Sequence, residues 1–305
     1  MARETYEAQV RLLVRILPHV AKEEVFALKG GTAINLFYRD LPRLSVDIDL
    51  TYLPIKDRSE SLLEINDAMG RIAASIERGI AGAKTQRIQG GGGGATRLLV
   101  RLDGVEVKLE TSPVTRGVVH DPEMRYVSET VEDEFGYAEM QIVSFEDLFG
   151  GKLHAAVDRQ HPRDLFDVEL LYDNEGLTDD LFRTFLIYIA SSSRPAHELL
   201  NPNLIDLDQP YAREFEGMTK TSFSLEKLVG TRKRLIADIQ SRFDESTRRF
   251  LLSLHDGTPD FAAIDRLQAA DLPAVRWKLI NLEKLKYENA DKHAEQRDRL
   301  EALLE

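Results

Sequence analysis

Asp47 and Asp49, in the run Ser45-Val46-Asp47-Ile48-Asp49-Leu50, are the side chains whose type and spacing point most directly to chemistry. In an extended strand alternate residues share a face, so the two acids project together while Val46, Ile48 and Leu50 project into a core. The carboxylates then stand roughly 6.5–7 Å apart along one strand. Asp is depleted in strands, and two like charges on one half-buried face are unfavourable unless a cation lies between them. Mg2+ (or Mn2+) suits such a pair, because it takes one or two carboxylates and completes its shell with phosphate oxygens and water. The plainer reading is an exposed strand face carrying two solvated acids.

Two flanking segments bear on that choice. Upstream, Leu28-Lys29-Gly30-Gly31-Thr32-Ala33 reads as a strand, a Gly-Gly turn and a helix start. Glycines there let backbone approach a phosphate, and a helix N-terminus offers free N–H groups; an ordinary glycine-rich turn is the alternative. Downstream, Glu106, Lys108 and Glu110 alternate with Val105, Val107 and Leu109, so the charged three share one face. A carboxylate from that strand could complete a two-metal clamp, with ions about 3.5–4 Å apart, or serve as general base. It could also belong to a charge-balanced exposed face.

The elements that must hold these residues follow from periodicity. Tyr6, Val10, Leu13 and Val14 mark an amphipathic helix over residues 3–17, ended by Pro18. Strands are expected at 25–28 and 45–52, with a helix at 32–38 between them. Leu62, Ile65, Met69, Ile72 and Ile76 mark a long helix. Gly90 to Gly94 reads as a loop. Strands near 96–102 and 105–111 are joined by Asp103-Gly104, a two-residue hairpin signal. A last strand lies near 138–143, and Ser144-Phe145-Glu146-Asp147 opens a helix to about 157. A further helix covers 164–172, and helical patterns alone fill the rest. The class expected is α+β: a mixed sheet flanked by helices over residues 1–180, then a helical domain over 181–305.

Composition sets outer limits. A chain of 305 residues that is 43% hydrophobic can bury a sizeable core. The absence of cysteine excludes thiolate ligands and a Cys nucleophile. With no apolar run near the roughly 18 residues of a membrane span, and no signal-peptide core, a cytoplasmic protein is expected. The formal net charge of −12 argues against a whole-surface nucleic-acid binder but leaves room for a local basic groove. Residues 218–250, with eight basic residues against four acidic, are the candidate for one.

A second block lies on the helix after Ser144. Lys152 sits among apolar residues, so it either snorkels to solvent or points into a cleft at a phosphate. Asp164 and Asp167, three residues apart on the next helix, face similar directions. Asp164 is expected to pair with an arginine or cap its helix, and Asp167 to orient Lys152. His154 is read as a packed histidine.

These ordered blocks together resemble the AbiEii/AbiGii toxin family, which includes the MenT toxins, within the DNA-polymerase-β-like nucleotidyltransferases. They are Gly30-Gly31-Thr32, then Arg43, Ser45, Asp47 and Asp49, then Lys152 to Ala155 and Pro162 to Asp167; the segment 272–282 also looks like the family's C-terminal helical region. The resemblance implies a nucleotidyltransferase core. It implies that Gly31 and Thr32, with Gly30 before them, hold a nucleoside triphosphate (NTP), that Asp47 and Asp49 hold the metal, and that Lys152 meets the phosphates. Asp167 would be the acid that closes the motif, and Glu110 the third carboxylate in preference to Glu106. The Ser45 hydroxyl is expected to reach the nucleotide pocket. Further implications are a toxin of an AbiE-type pair with a cognate antitoxin, and transfer of nucleotides to the 3′ end of RNA, tRNA above all, so blocking translation. Nucleotidylation of a protein side chain and a non-catalytic nucleotide-binding module are the alternatives.

Overall fold

The computed structural model describes residues 2–90 and 94–305. The chain forms two compact units, residues 1–144 with 217–222, and residues 145–216 with 223–305.

The first unit is built on a seven-stranded mixed sheet. Its strands are β1 (Phe26–Lys29), β2 (Asp47–Tyr52), β3 (Lys84–Gln89), β4 (Ala95–Leu102), β5 (Val105–Thr111), β6 (Glu123–Tyr126) and β7 (Glu139–Ile142). Their order is β3-β4-β5-β2-β1-β7-β6. The central strand β2 pairs antiparallel with β1 and parallel with β5. On one face Leu28, Ile48, Leu50, Leu98, Val100, Val107 and Leu109 are buried, under α1 (Ala2–Val20) and α3 (Arg58–Gly79). Strand alternation sends Lys29, Asp47, Asp49, Arg97, Lys108 and Glu110 to the other face.

Pro18 does not end α1; the helix runs to Val20 with Pro18 inside its last turn. Leu17 and Val20, both fully buried, hold that turn in place. The helix after Gly-Gly ends at Tyr38 as expected but begins at Gly30, and its winding changes: a single α turn, α2 (Gly30–Ala33), passes into a π-helix, Ile34–Tyr38. The hairpin at Asp103-Gly104 forms as read, with φ of 50° and 81° at the two positions, the left-handed pair that a tight two-residue turn requires. Gly90 N–H bonds the Gly94 carbonyl at 2.9 Å; the loop expected between them, residues 91–93, lies outside the described residues. Strands β3 and β6 were not legible. Each is an edge strand of mostly polar or exposed side chains, Lys-Thr-Gln-Arg-Ile-Gln and Glu-Met-Arg-Tyr, without the alternation that a buried face imposes. The short helix α4 (Glu129–Phe135) was missed too.

The second unit is helical: α5 (Phe145–Asp158), α6 (Pro162–Asn174), α7 (Asp179–Ala190), α8 (Ala196–Leu200), α9 (Asp208–Glu214), α10 (Leu225–Ser241), α11 (Glu245–His255), α12 (Pro273–Glu288) and α13 (Ala290–Leu304), with two 3-10 turns before α12. Gly150 and Gly151 let the Tyr188 ring of α7 lie against α5; a Cβ on either would stand 3.1 or 3.3 Å from it. His161 caps α6, accepting from Arg163 N–H, with Pro162 in the first turn. His255 and His293 bond each other's carbonyls at 2.9 and 3.1 Å and tie α11 to α13. Among the described residues no helix is long and apolar enough to cross a membrane.

Candidate active site

The first unit brings the expected acids together through strand register. Asp49 on β2 faces Glu110 on β5 and Lys29 on β1, and Asp47 faces Lys108. Arg97 on β4 stands opposite Glu110. One row across the sheet therefore reads Arg97, Glu110, Asp49, Lys29, and the next holds Lys108 and Asp47. Register thereby places Glu110 beside Asp49. Glu106 lies further along β5, paired with Arg101 at 2.6 Å.

Charges in these rows are only partly matched. Lys108 bridges Glu110 at 3.2 Å and Asp47 at 3.9 Å, and Arg97 reaches Glu110 at 3.3 Å. Burial pushes the Asp49 carboxyl up; Lys29 opposes this, and the like charges of Asp47 and Glu110 add to it. Burial pushes the Lys29 ammonium down, against the pull of Asp49 and Glu110. Among the described residues no group of three or more His, Cys, Asp or Glu is disposed to hold a metal ion. The Glu110 carboxylate is ion-paired with Lys108 and Arg97. Asp47 and Asp49 remain a donor set for a hard divalent cation that uses one or two carboxylates, and their mutual repulsion is what such an ion would relieve.

The glycine segment leaves no room for a side chain. Gly30 has φ +76°, and a Cβ there would lie 2.7 Å from Asp49 Oδ2. At Gly31 it would lie 2.6 Å from Arg43 Nη2 and 2.9 Å from Ser45 Oγ. The room left by the missing side chains is filled by Asp49, Arg43 and Ser45. Thr32 is buried, and its hydroxyl lies 3.1 Å from Ser45 Oγ and against the Asp47 carbonyl. Ser45 precedes β2 rather than lying in it, and is 8% exposed. Its hydroxyl thus braces the approach to the acid pair from behind the glycine turn.

In the second unit, Lys152 neither snorkels nor stands open. It is 6% exposed and ion-paired to Asp164 at 2.8 Å and Asp167 at 3.0 Å. Asp164 also takes Arg159 at 2.6 Å. Burial alone would push the Asp164 carboxyl up; Lys152 and Arg159 override it and hold the carboxyl far below the usual range. Asp167 orients Lys152 as expected, and Asp164 does so equally. Near them Gln160, at φ +49°, accepts from the Arg232 guanidinium at 3.0 Å.

Arg232 is thus not available as part of an RNA groove, and most of its basic neighbours have partners too. Arg232 is buried; Lys227 pairs with Glu169, Arg234 lies over the Tyr172 ring, and Arg242 pairs with Asp179 and Asp238. Arg248 and Arg249 pair with Glu305 and Asp260, and Lys220 donates to the Asp40 carbonyl. Most of the positive charge of that stretch is engaged by partners within the fold, while Lys233 stays exposed.

Two site residues carried no role in the sequence reading. Arg43 is buried against Gly31; its alternation with Ser45, Asp47 and Asp49 placed it in the motif without giving it a part. Lys29 was legible: it follows the fully buried Leu28, so alternation sends it to the face of the acids.

A mixed sheet that presents paired acids beside cations on one face, followed by a helical region, has the form of a nucleotidyltransferase. Comparison agrees at the level of fold: MenT4, a nucleotidyltransferase toxin from Mycobacterium tuberculosis H37Rv, superposes with a TM-score of 0.60 at 15% identity, over 91% of this chain and 93% of that one. Comparison with curated protein sequences finds no match. The family model described as nucleotidyl transferase AbiEii toxin, type IV TA system, matches residues 11–281. The chain belongs to that family of toxins, whose activity is nucleotidyl transfer.

Proposed function

We propose that the chain transfers a nucleotidyl group from an NTP to the 3′ end of RNA, a tRNA acceptor end in the first instance, and so blocks translation. The observation that carries this reading is the half-buried Asp47/Asp49 pair on one strand face, repelling each other and flanked by cations. Mg2+ or Mn2+ held by the two would neutralise charge on the triphosphate. In the transfer, the acceptor hydroxyl oxygen bonds the α-phosphorus, the bond from that phosphorus to the bridging oxygen breaks, and pyrophosphate leaves with the electron pair. The hydroxyl proton passes to a site carboxylate or to water. Glu110 would have to leave Lys108 and Arg97 to act as ligand or base; its proposed part is to keep Lys108 beside Asp47. Membership of a toxin–antitoxin family implies a cognate antitoxin that holds the activity in check.

The test is incubation with each labelled NTP, Mg2+ or Mn2+, and total tRNA. Label should appear on RNA, and it should vanish with EDTA and in Asp47→Asn. A protein acceptor stays as the second reading, because most of the basic stretch that would have carried RNA has partners within the fold. Label on protein and none on RNA would establish it.

A further inference from the structure

The groups expected to meet the triphosphate are each engaged by the protein itself. The space at Gly30 and Gly31 is filled by Asp49, Arg43 and Ser45. The Thr32 and Ser45 hydroxyls bond each other. Lys152 is held by two buried carboxylates. On the acid-bearing face Lys108 and Arg97 are ion-paired.

Lys29 is different. Register sets it opposite Asp49, and the fully buried Leu28 before it fixes which face it takes. It feels the charges of Asp49 and Glu110, yet among the described residues its ammonium forms no hydrogen bond and no ion pair. A half-buried ammonium normally finds a partner, since its three donors otherwise lose hydration without compensation. Its neighbour Asp49 turns Oδ2 toward Gly30 instead. The site thus keeps one cation unspent beside the acid pair, at the spot where a polyphosphate chelated by a metal on Asp47 and Asp49 would arrive.

We infer that Lys29 is a triphosphate-binding residue of this site, a cation set aside for the substrate's phosphates. The inference rests on the nucleotidyltransferase reading and adds a residue to it. A compact ammonium satisfies phosphate oxygens as a point charge without a fixed fork geometry.

Inorganic tripolyphosphate is the probe, because it carries the phosphates without a base. Binding is measured by calorimetry on the full chain, with Mg2+ and again with EDTA. Lys29→Met should weaken binding by about tenfold to hundredfold in both conditions, the range for a lost charge-assisted hydrogen bond. Lys29→Arg should stay within about threefold, since the charge is kept. In the unmodified protein, tripolyphosphate should also slow acylation of Lys29 by an amine-reactive reagent, a readout that needs no variant to fold. Equal binding by Lys29→Met and wild type, or acylation of Lys29 unaffected by saturating tripolyphosphate, overturns the inference. If Lys29-dependent binding is found but no NTP is ever consumed, the transfer reading falls and the phosphate site stands.

Discussion

Asp49 carries opposed demands. Its carboxyl is raised by burial and by the like charges of Asp47 and Glu110, so its charged form costs stability once pH rises through the folded-state value. Asp49→Asn should therefore abolish transfer while raising the melting temperature without divalent ion, on the order of 2 °C. Calorimetry with and without Mg2+ checks this; a fall in melting temperature would mean that Asp49 is a structural acid. Lys152 behaves oppositely. Truncation to Ala leaves Asp164 and Asp167 buried, 1% and 0% exposed, with one partner fewer. A cost of about 3–5 kcal/mol is expected, as for a broken buried ion pair. Urea unfolding measures it, and loss of activity in that variant must be read against its folded fraction. Reversal of Arg232 to Glu should unfold the protein in the same way, because the guanidinium is buried against Gln160 and the Ile205 carbonyl.

At the scale of the element, the turn from β1 into α2 decides the shape of the site. Gly30 takes a left-handed φ, and Gly31 is pressed by Arg43 and Ser45. Gly31→Ala requires Arg43 to move, and Gly30→Ala adds backbone strain to a clash with Asp49. The expected cost is about 1–3 kcal/mol for Gly30→Ala, with transfer lost at temperatures where the variant is still folded. Retained transfer at wild-type rate would show that Asp49 need not sit against that turn. Strand alternation was the legible part of this region: the apolar and acidic faces of β2 and β5 fall where the pattern puts them. The helix after the glycines ends where it was expected, but its change of winding was not legible, because Ile34, Leu36 and Phe37 suit any helical period. The π-helical winding follows from bonds such as Arg39 N–H to the Ile34 carbonyl, which local sequence does not announce.

The stability of the whole molecule carries a pH signature at both ends. Burial pushes the Lys278 ammonium down to about 8, with Glu198 opposing. The unfolded lysine keeps its proton up to its ordinary value of 10.5, so between those values the unfolded state binds more protons and stability rises with pH. The gain is on the order of 3 kcal/mol at most. Lys278→Met should flatten that rise in urea midpoints taken from pH 7.5 to 10.5; an unchanged slope would assign it to other groups. On the acid side, the depressed Asp164 carboxyl contributes stability that is full above the unfolded value and lost as pH falls below it. Asp164→Asn should remove that part of the acid transition, at a cost in neutral stability.

The sequence by itself determined which residues could do chemistry and on which strand faces they lie, because a period of two is a local property of the chain. It also marked the mixed sheet, the hairpin at Asp103-Gly104 and the helical second half, each carried by periodicity or turn residues. Tertiary structure decided the pairings. Which carboxylate stands beside Asp49 depends on parallel register between strands more than fifty residues apart. Whether a cation is spent or spare depends on which acids packing brings to it. Lys152, Arg232 and Lys29 look alike as charged residues in apolar surroundings, but their fates differ because ion pairing is a through-space property. Only the folded chain shows two of them tied and one left beside the acids.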